Sequence, residues 1–121
     1  MQVRRWSLLL AAPLVLAGCG GGSYSLARTS ACLKHKGATV IKFPTSPIGE
    51  SARGGGIEVW LDHRNLNIGF GRTTDEAKRL LRLYGSVGNP NHVRIYRRRN
   101  AVVAWDITPP PVRKTIDGCL K

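Results

Sequence analysis

The sequence predicts an α+β domain: a small, mostly antiparallel sheet of two hairpins plus a short N-terminal strand, with helices packed on one face. Three observations lead there. "IEVWL" and "LNIGF" each put apolar residues on alternate positions and lie a turn apart, which is the pattern of a half-buried hairpin. Val93–Arg97 and Ala101–Trp105 repeat that layout around the turn "RRRN". Between the two hairpins stands a stretch with helical periodicity that opens on a capping sequence.

The elements follow in order. Residues 26–36 form a short helix stopped by Gly37, with Cys32 and Leu33 turned inward. Ala38–Phe43, rich in β-branched residues, is a strand. "PTSPIGESARGGG" is a mobile Pro/Ser/Gly loop. Ile57, Val59 and Leu61 share one strand face, as do Leu66, Ile68 and Phe70, and Asp62–Asn65 is of hairpin length. Thr73 and Glu76 fit a capping box, with Asp75 adding charge that the helix dipole favours. Ala77, Leu80, Leu81 and Tyr84 then recur at helical spacing, opposite Lys78, Arg79 and Arg82, and Gly85 closes the end. That apolar face is expected to cover the sheet rather than to lie on a membrane. Pro110 and Pro111 start a last helix, whose stripe is Val112, Ile116, Cys119 and Leu120. Alternation does not decide whether Trp60 and Trp105 face solvent or helices.

Residues ahead of this domain read differently. Arg4 and Arg5 precede an apolar run from Trp6 to Ala17, broken only by Ser7 and Pro13. A spanning helix needs roughly 20 apolar residues, so the dozen here match the middle of a secretory signal instead. The run ends in Leu16, Ala17 and Gly18 directly before Cys19, and this ending resembles the lipobox of bacterial lipoproteins. The resemblance covers residues 1–19 and implies that residues 1–18 are a signal peptide removed on export. It further implies that Cys19 becomes the lipidated amino terminus, and that the protein sits on the cell membrane. The family's inner-membrane retention signal is an Asp after the cysteine. Gly20 stands there, which points to the outer membrane if the cell has two. Residues 19–25, with Gly20, Gly21, Gly22 and Ser23, then form a flexible tether, and residues 26–121 the single domain.

With Cys19 lipidated, Cys32 and Cys119 remain. An exported compartment permits disulfides, and two leftover cysteines allow one intramolecular pairing. A Cys32–Cys119 bond is therefore expected between the first and last helices. Two cysteines so far apart, without a C-x-x-C, make neither a redox motif nor a zinc pair.

The chain of 121 residues carries a formal charge of +12, and removing Arg4 and Arg5 leaves +10. Such a balance favours anionic lipid, cell-wall polymer or nucleic acid, and export argues against nucleic acid. The best binding candidate is the hairpin "RIYRRRN", with Arg94, Tyr96, Arg97, Arg98 and Arg99. Arginines beside an aromatic ring fork onto phosphates or carboxylates and stack on planar groups. A charged turn that merely protects a strand edge is the competing explanation.

Catalytic signals are weak. His35, His63 and His92 are isolated and follow no zinc spacing. There is no G-x-S-x-G, and Asp75 and Glu76 of the seven acids are accounted for by the helix cap. "GFGRTT" lacks a full phosphate-binding motif and is explained by a tight strand-to-helix turn. No metal or cofactor is expected. The sequence thus describes an envelope-anchored, basic, non-catalytic domain that binds an anionic lipid, a cell-wall polymer or an envelope protein. A small envelope hydrolase and a purely structural lipoprotein are the alternatives.

Overall fold

A computed structural model of the chain describes residues 22–42, 52–86, 94–105 and 110–121. The elements are α1 (Leu26–His35), β1 (Thr39–Lys42), β2 (Gly56–Leu61), β3 (Arg64–Phe70), α2 (Thr74–Ser86), β4 (Arg94–Arg98), β5 (Ala101–Trp105) and α3 (Pro110–Cys119). The five strands form one sheet in the order β1-β2-β3-β5-β4, with every pairing antiparallel. The predicted α+β class and its two hairpins are therefore present. Phe43 and Val93, expected at strand ends, lie outside the described residues.

Period-two alternation sorts the sheet into two faces. Ile57, Val59, Leu61, Leu66, Ile68, Phe70, Ala101, Val103 and Trp105 form one buried cluster with Leu33, Val112, Ile116 and Cys119. The helices α1 and α3 thus cover that face together. On the reverse, Val102 and Ala104 pack with Ala77 and Leu80 of α2, and Leu81, Tyr84 and Ile95 are half-buried around them. The expectation that all helices share a face holds only for the terminal pair. Strand β5 explains the difference: all five of its residues are buried, so it has an apolar side on each face of the sheet. The apolar face assigned to α2 is the one that packs.

Cys32 and Cys119 are bonded, with Cα atoms 5.3 Å apart. The bond joins α1 to α3 beneath the sheet. Around it, the Ser25 amide donates to the Lys121 carbonyl, and the Lys121 amide donates to Thr29 Oγ1 at 3.2 Å. Thr29 is fully buried. The chain therefore meets its own far end over two turns of helix. The Ser25 hydroxyl caps α1 by accepting from the Arg28 amide at 3.3 Å.

Both hairpin turns are two residues long. Asp62 and His63 each have positive φ, 50° and 60°, as a type I′ turn requires. The strand β3 consequently starts at Arg64, and the four-residue spacing read from the sequence is too long. The second turn is Arg99–Asn100, with Arg99 at φ 49°.

The cap of α2 differs from the expected box in one detail. Thr73 Oγ1 accepts from the Glu76 amide at 3.1 Å, as expected. The Glu76 carboxylate reaches one residue further back, to the Arg72 amide at 2.8 Å and to the Arg72 guanidinium. Those hydrogen bonds, led by the one from the Arg72 side chain, hold the Glu76 carboxyl below the usual carboxylate range. The helix continues through Gly85 to Ser86. Gly71 is required just before it, because a Cβ there would lie 2.7 Å from the Thr73 carbonyl oxygen.

Part of the predicted mobile loop is packed. Ala52 is buried against α2, and the Gly54 amide donates to the Phe70 carbonyl at 2.6 Å. A Cβ on Gly54 would sit 2.5 Å from that same oxygen, so glycine permits the docking. Residues 44–51 of this loop lie outside the described residues.

The disulfide spans 87 residues of sequence. Loop-closure entropy for such a span is worth roughly 4–5 kcal/mol. Replacing both cysteines with serine should lower the unfolding free energy by about that amount and the Tm by on the order of 20 °C. Urea and thermal denaturation check it; a loss below about 1 kcal/mol would mean that the helix-to-helix contacts alone close the chain.

Candidate functional site

The alternation that orders the core also divides the arginine-rich hairpin. In the β4–β5 register, Arg94 pairs with Trp105, Tyr96 with Val103 and Arg98 with Ala101, all on the face covered by α3. Arg97 pairs with Val102 and points to the α2 side. Its Nη1 donates to the Arg99 carbonyl at 2.7 Å, which stiffens the turn. Arg99 leaves the hairpin altogether: its guanidinium lies 5.3 Å from the Tyr24 ring centroid and its Nη1 donates to the Gly22 carbonyl at 3.3 Å. The five residues expected to form one patch thus go to three places.

Arg94, Tyr96 and Arg98 stay together and meet α3. Between β4 and that helix lies a cleft of about 640 Å³, bordered on the helix side by Pro110, Arg113, Lys114 and Asp117. Its floor is aromatic. Tyr96 and Trp105 stand 5.2 Å apart between ring centroids, tilted by 54°. The Arg113 guanidinium lies 4.4 Å from the Tyr96 centroid and 5.9 Å from that of Trp105, a cation–π arrangement on both rings.

Asp117 organises the cleft. Tyr96 donates its phenolic proton to Asp117 Oδ1 at 2.6 Å. Arg98 Nη1 lies 3.1 Å from Oδ2, and Arg113 Nε lies 3.7 Å from the same oxygen. Burial, and then donation to Asp117, push the Tyr96 phenol well above its ordinary range. Four cations, Arg94, Arg98, Arg113 and Lys114, border the cleft with Asp117 as its one carboxylate among the described residues. Arg94 and Lys114 make no ion pair among the described residues. Among the described residues, positive charge therefore remains in excess over a partly buried aromatic floor. Such a floor and rim suit an anionic group attached to an apolar or planar body.

The sequence reading missed the α3 half of this cleft. Arg113 and Asp117 stand at i and i+4, and each follows a buried stripe residue, Val112 and Ile116. That spacing was the available signal for a charged flank beside the core stripe. Nothing in the sequence places that flank against β4.

Other singled-out residues lie elsewhere. His35 and His63 are exposed, on α1 and in the β2–β3 turn, and His92 is outside the described residues. Trp60 is 46 % exposed on the α2 side, while Trp105 is buried in the cleft floor. Glu58 accepts from Trp60 Nε1 at 2.8 Å and from Asn65 Nδ2 at 2.9 Å. Cys19 lies outside the described residues. No helix among the described residues is long and apolar enough to cross a membrane. Comparison with protein-family models, with curated protein sequences and with solved structures returns no match.

Tyr96→Phe tests the organising role of Asp117. Removing the donor should cost about 1–2 kcal/mol at neutral pH. A phenol with a raised folded-state pKa adds stability below the unfolded tyrosine pKa of about 10, and loses it as pH rises through its own higher value. The alkaline fall in stability should accordingly be shallower in Tyr96→Phe. Parallel alkaline decline in the two proteins, measured by urea midpoints, would show that Tyr96 does not hold the proton.

Proposed function

We propose that this is an exported lipoprotein, anchored through Cys19, whose domain captures an anionic envelope component without chemically altering it. The observation that carries the reading is the β4–α3 cleft, with four cations and one carboxylate among the described residues and a floor of Tyr96 and Trp105. The lipobox-like ending at Cys19 supports envelope placement, and the formal charge of +10 after export agrees with an anionic ligand. Asp117 supports binding rather than general acid–base work, since its two oxygens are engaged by Tyr96, Arg98 and Arg113.

In this reading Arg94 and Lys114 meet the ligand's charge, Arg113 and Arg98 hold the wall, and the aromatic pair takes the body. A cell-wall polymer carrying phosphate or carboxylate groups fits that division. An acidic segment of an envelope protein offers the same chemistry.

Arg94→Gln with Lys114→Gln leaves the Asp117 cluster intact and tests the idea directly. A charge-assisted bond is worth about 1.5–3 kcal/mol, which exposure reduces to roughly 1 kcal/mol for each residue. Co-sedimentation of the protein with purified anionic wall polymer at low salt should therefore weaken by on the order of tenfold, and its salt dependence should flatten. Arg97→Gln, on the opposite face, should change neither. Equal losses from both substitutions would show that net charge, not the cleft, does the binding.

A further inference from the structure

The amino-terminal segment is pinned to one end of the sheet, and this fixes which end can meet a membrane. The Tyr24 amide donates to Asn100 Oδ1 at 2.6 Å, and Asn100 Nδ2 donates back to the Tyr24 carbonyl at 3.0 Å. A single carboxamide thereby treats Tyr24 as a neighbouring strand would. Asn100 Nδ2 also donates to the Gly71 carbonyl at 2.9 Å, which binds the segment to the β3–α2 junction. One residue earlier in the turn, Arg99 holds the Gly22 carbonyl and stacks on Tyr24. The chain therefore leaves the domain beside the β4–β5 turn.

Cys19 is three residues from Gly22. Whatever path those residues take, a chain spans at most about 3.3–3.6 Å per residue, so the leash is no longer than roughly 11 Å. The β2–β3 ladder runs from the Gly56–Gly69 pair to the Leu61–Arg64 pair, about 17 Å at the usual rise. The far end, with the Asp62–His63 turn and Trp60, lies beyond the reach of such a leash.

The near end also has the right charge. Arg53 and Arg72 border the recess that holds Ser23–Ala27 and Asn100, and Arg99 stands at its edge. All three are exposed. Arg72 and Glu76 neutralise each other as an ion pair, so Arg53 and Arg99 against the exposed Asp75 leave this end with a positive excess among the described residues.

We propose that the domain rests on the bilayer with its β4–β5 turn end down, and that Arg53 and Arg99 contact anionic lipid headgroups around the anchor. The inference rests on lipidation of Cys19, as proposed above. Each arginine near an anionic surface favours this pose by about fivefold, fading over a Debye length of about 10 Å at 0.1 M salt. In this pose Trp60 and the Trp105 end of the β4–α3 cleft point away from the lipid. The cleft is then open to polymer or protein beyond the headgroups, and the two basic surfaces serve different partners.

The test uses the full lipidated protein in phosphatidylglycerol vesicles whose acyl chains carry bromine, a short-range quencher of tryptophan. Mass spectrometry of the same sample reads the lipid on Cys19. Native emission from Trp60 and Trp105 should be unaffected by bromine. The Ala27→Trp variant places a tryptophan on the exposed first turn of α1, at the pinned end, and its added emission should be quenched. Arg53→Gln, or raised salt, should lower the ratio of quenched to unquenched Ala27→Trp emission by about fivefold. Quenching of the native emission would overturn the pose, as would an unquenched Ala27→Trp signal. A quenched fraction indifferent to both salt and Arg53→Gln would overturn the headgroup contacts. Absence of lipid on Cys19 would remove the anchor and this pose together, whereas lipid with quenched Trp60 would remove the pose alone.

Discussion

The structure depends on holding the two ends of the domain together beneath one face of a five-stranded sheet. The Cys32–Cys119 bond does this covalently. Ser25, Thr29 and Lys121 do it by hydrogen bonds. Once α1 and α3 are joined, they lie side by side on one face of the sheet, where Leu33, Val112, Ile116 and Cys119 share a single buried cluster. The reverse face is left to α2, which β5 accommodates because its residues are buried on both sides. A domain of about 100 residues has a modest core, so closing nearly the whole chain removes a large part of the unfolded state's freedom.

Asn100 extends that closure to the segment ahead of α1. It is 2 % exposed, and a buried carboxamide is costly unless its groups are paired. Here its side chain serves Tyr24 twice and Gly71 once, while its carbonyl accepts from the Gly71 amide at 2.7 Å. One turn residue thus joins the β4–β5 hairpin, the β3–α2 junction and the start of the domain. The same turn carries Arg99, whose left-handed backbone sends its side chain back over Tyr24 rather than along the strand. Local conformation and charge distribution are linked at this point. The hairpin's arginines separate because pleat and turn aim them in different directions.

Much of this was legible in the sequence, and the limits have physical causes. Alternation at Ile57, Val59, Leu61 and at Leu66, Ile68, Phe70 identified the central hairpin, because period two on one face leaves few other options. The stripe from Ala77 to Tyr84 identified α2 and its packing role, but periodicity reports only that a face is buried. The side of the sheet it covers is a tertiary choice. Cysteine arithmetic reached the disulfide once Cys19 was set aside as a lipid acceptor. Asn100 was invisible, since a turn asparagine reads as ordinary turn chemistry until its long-range partners are known. Arg113 and Asp117 escaped for the same reason: their i, i+4 spacing is local, and their meeting with Tyr96 and Arg98 is not.

Amide hydrogen exchange at Tyr24 bears most directly on the claim that the start of the domain is fixed at the β4–β5 turn. In the native protein the Tyr24 amide should be protected, although it precedes the first helix. In Asn100→Ala it should exchange at nearly the rate of an unstructured peptide, while Ile68, in the middle of the sheet, stays protected. Rapid exchange of Tyr24 in the native protein, with Ile68 protected, would contradict the account, because the segment ahead of α1 would then not be held by the turn.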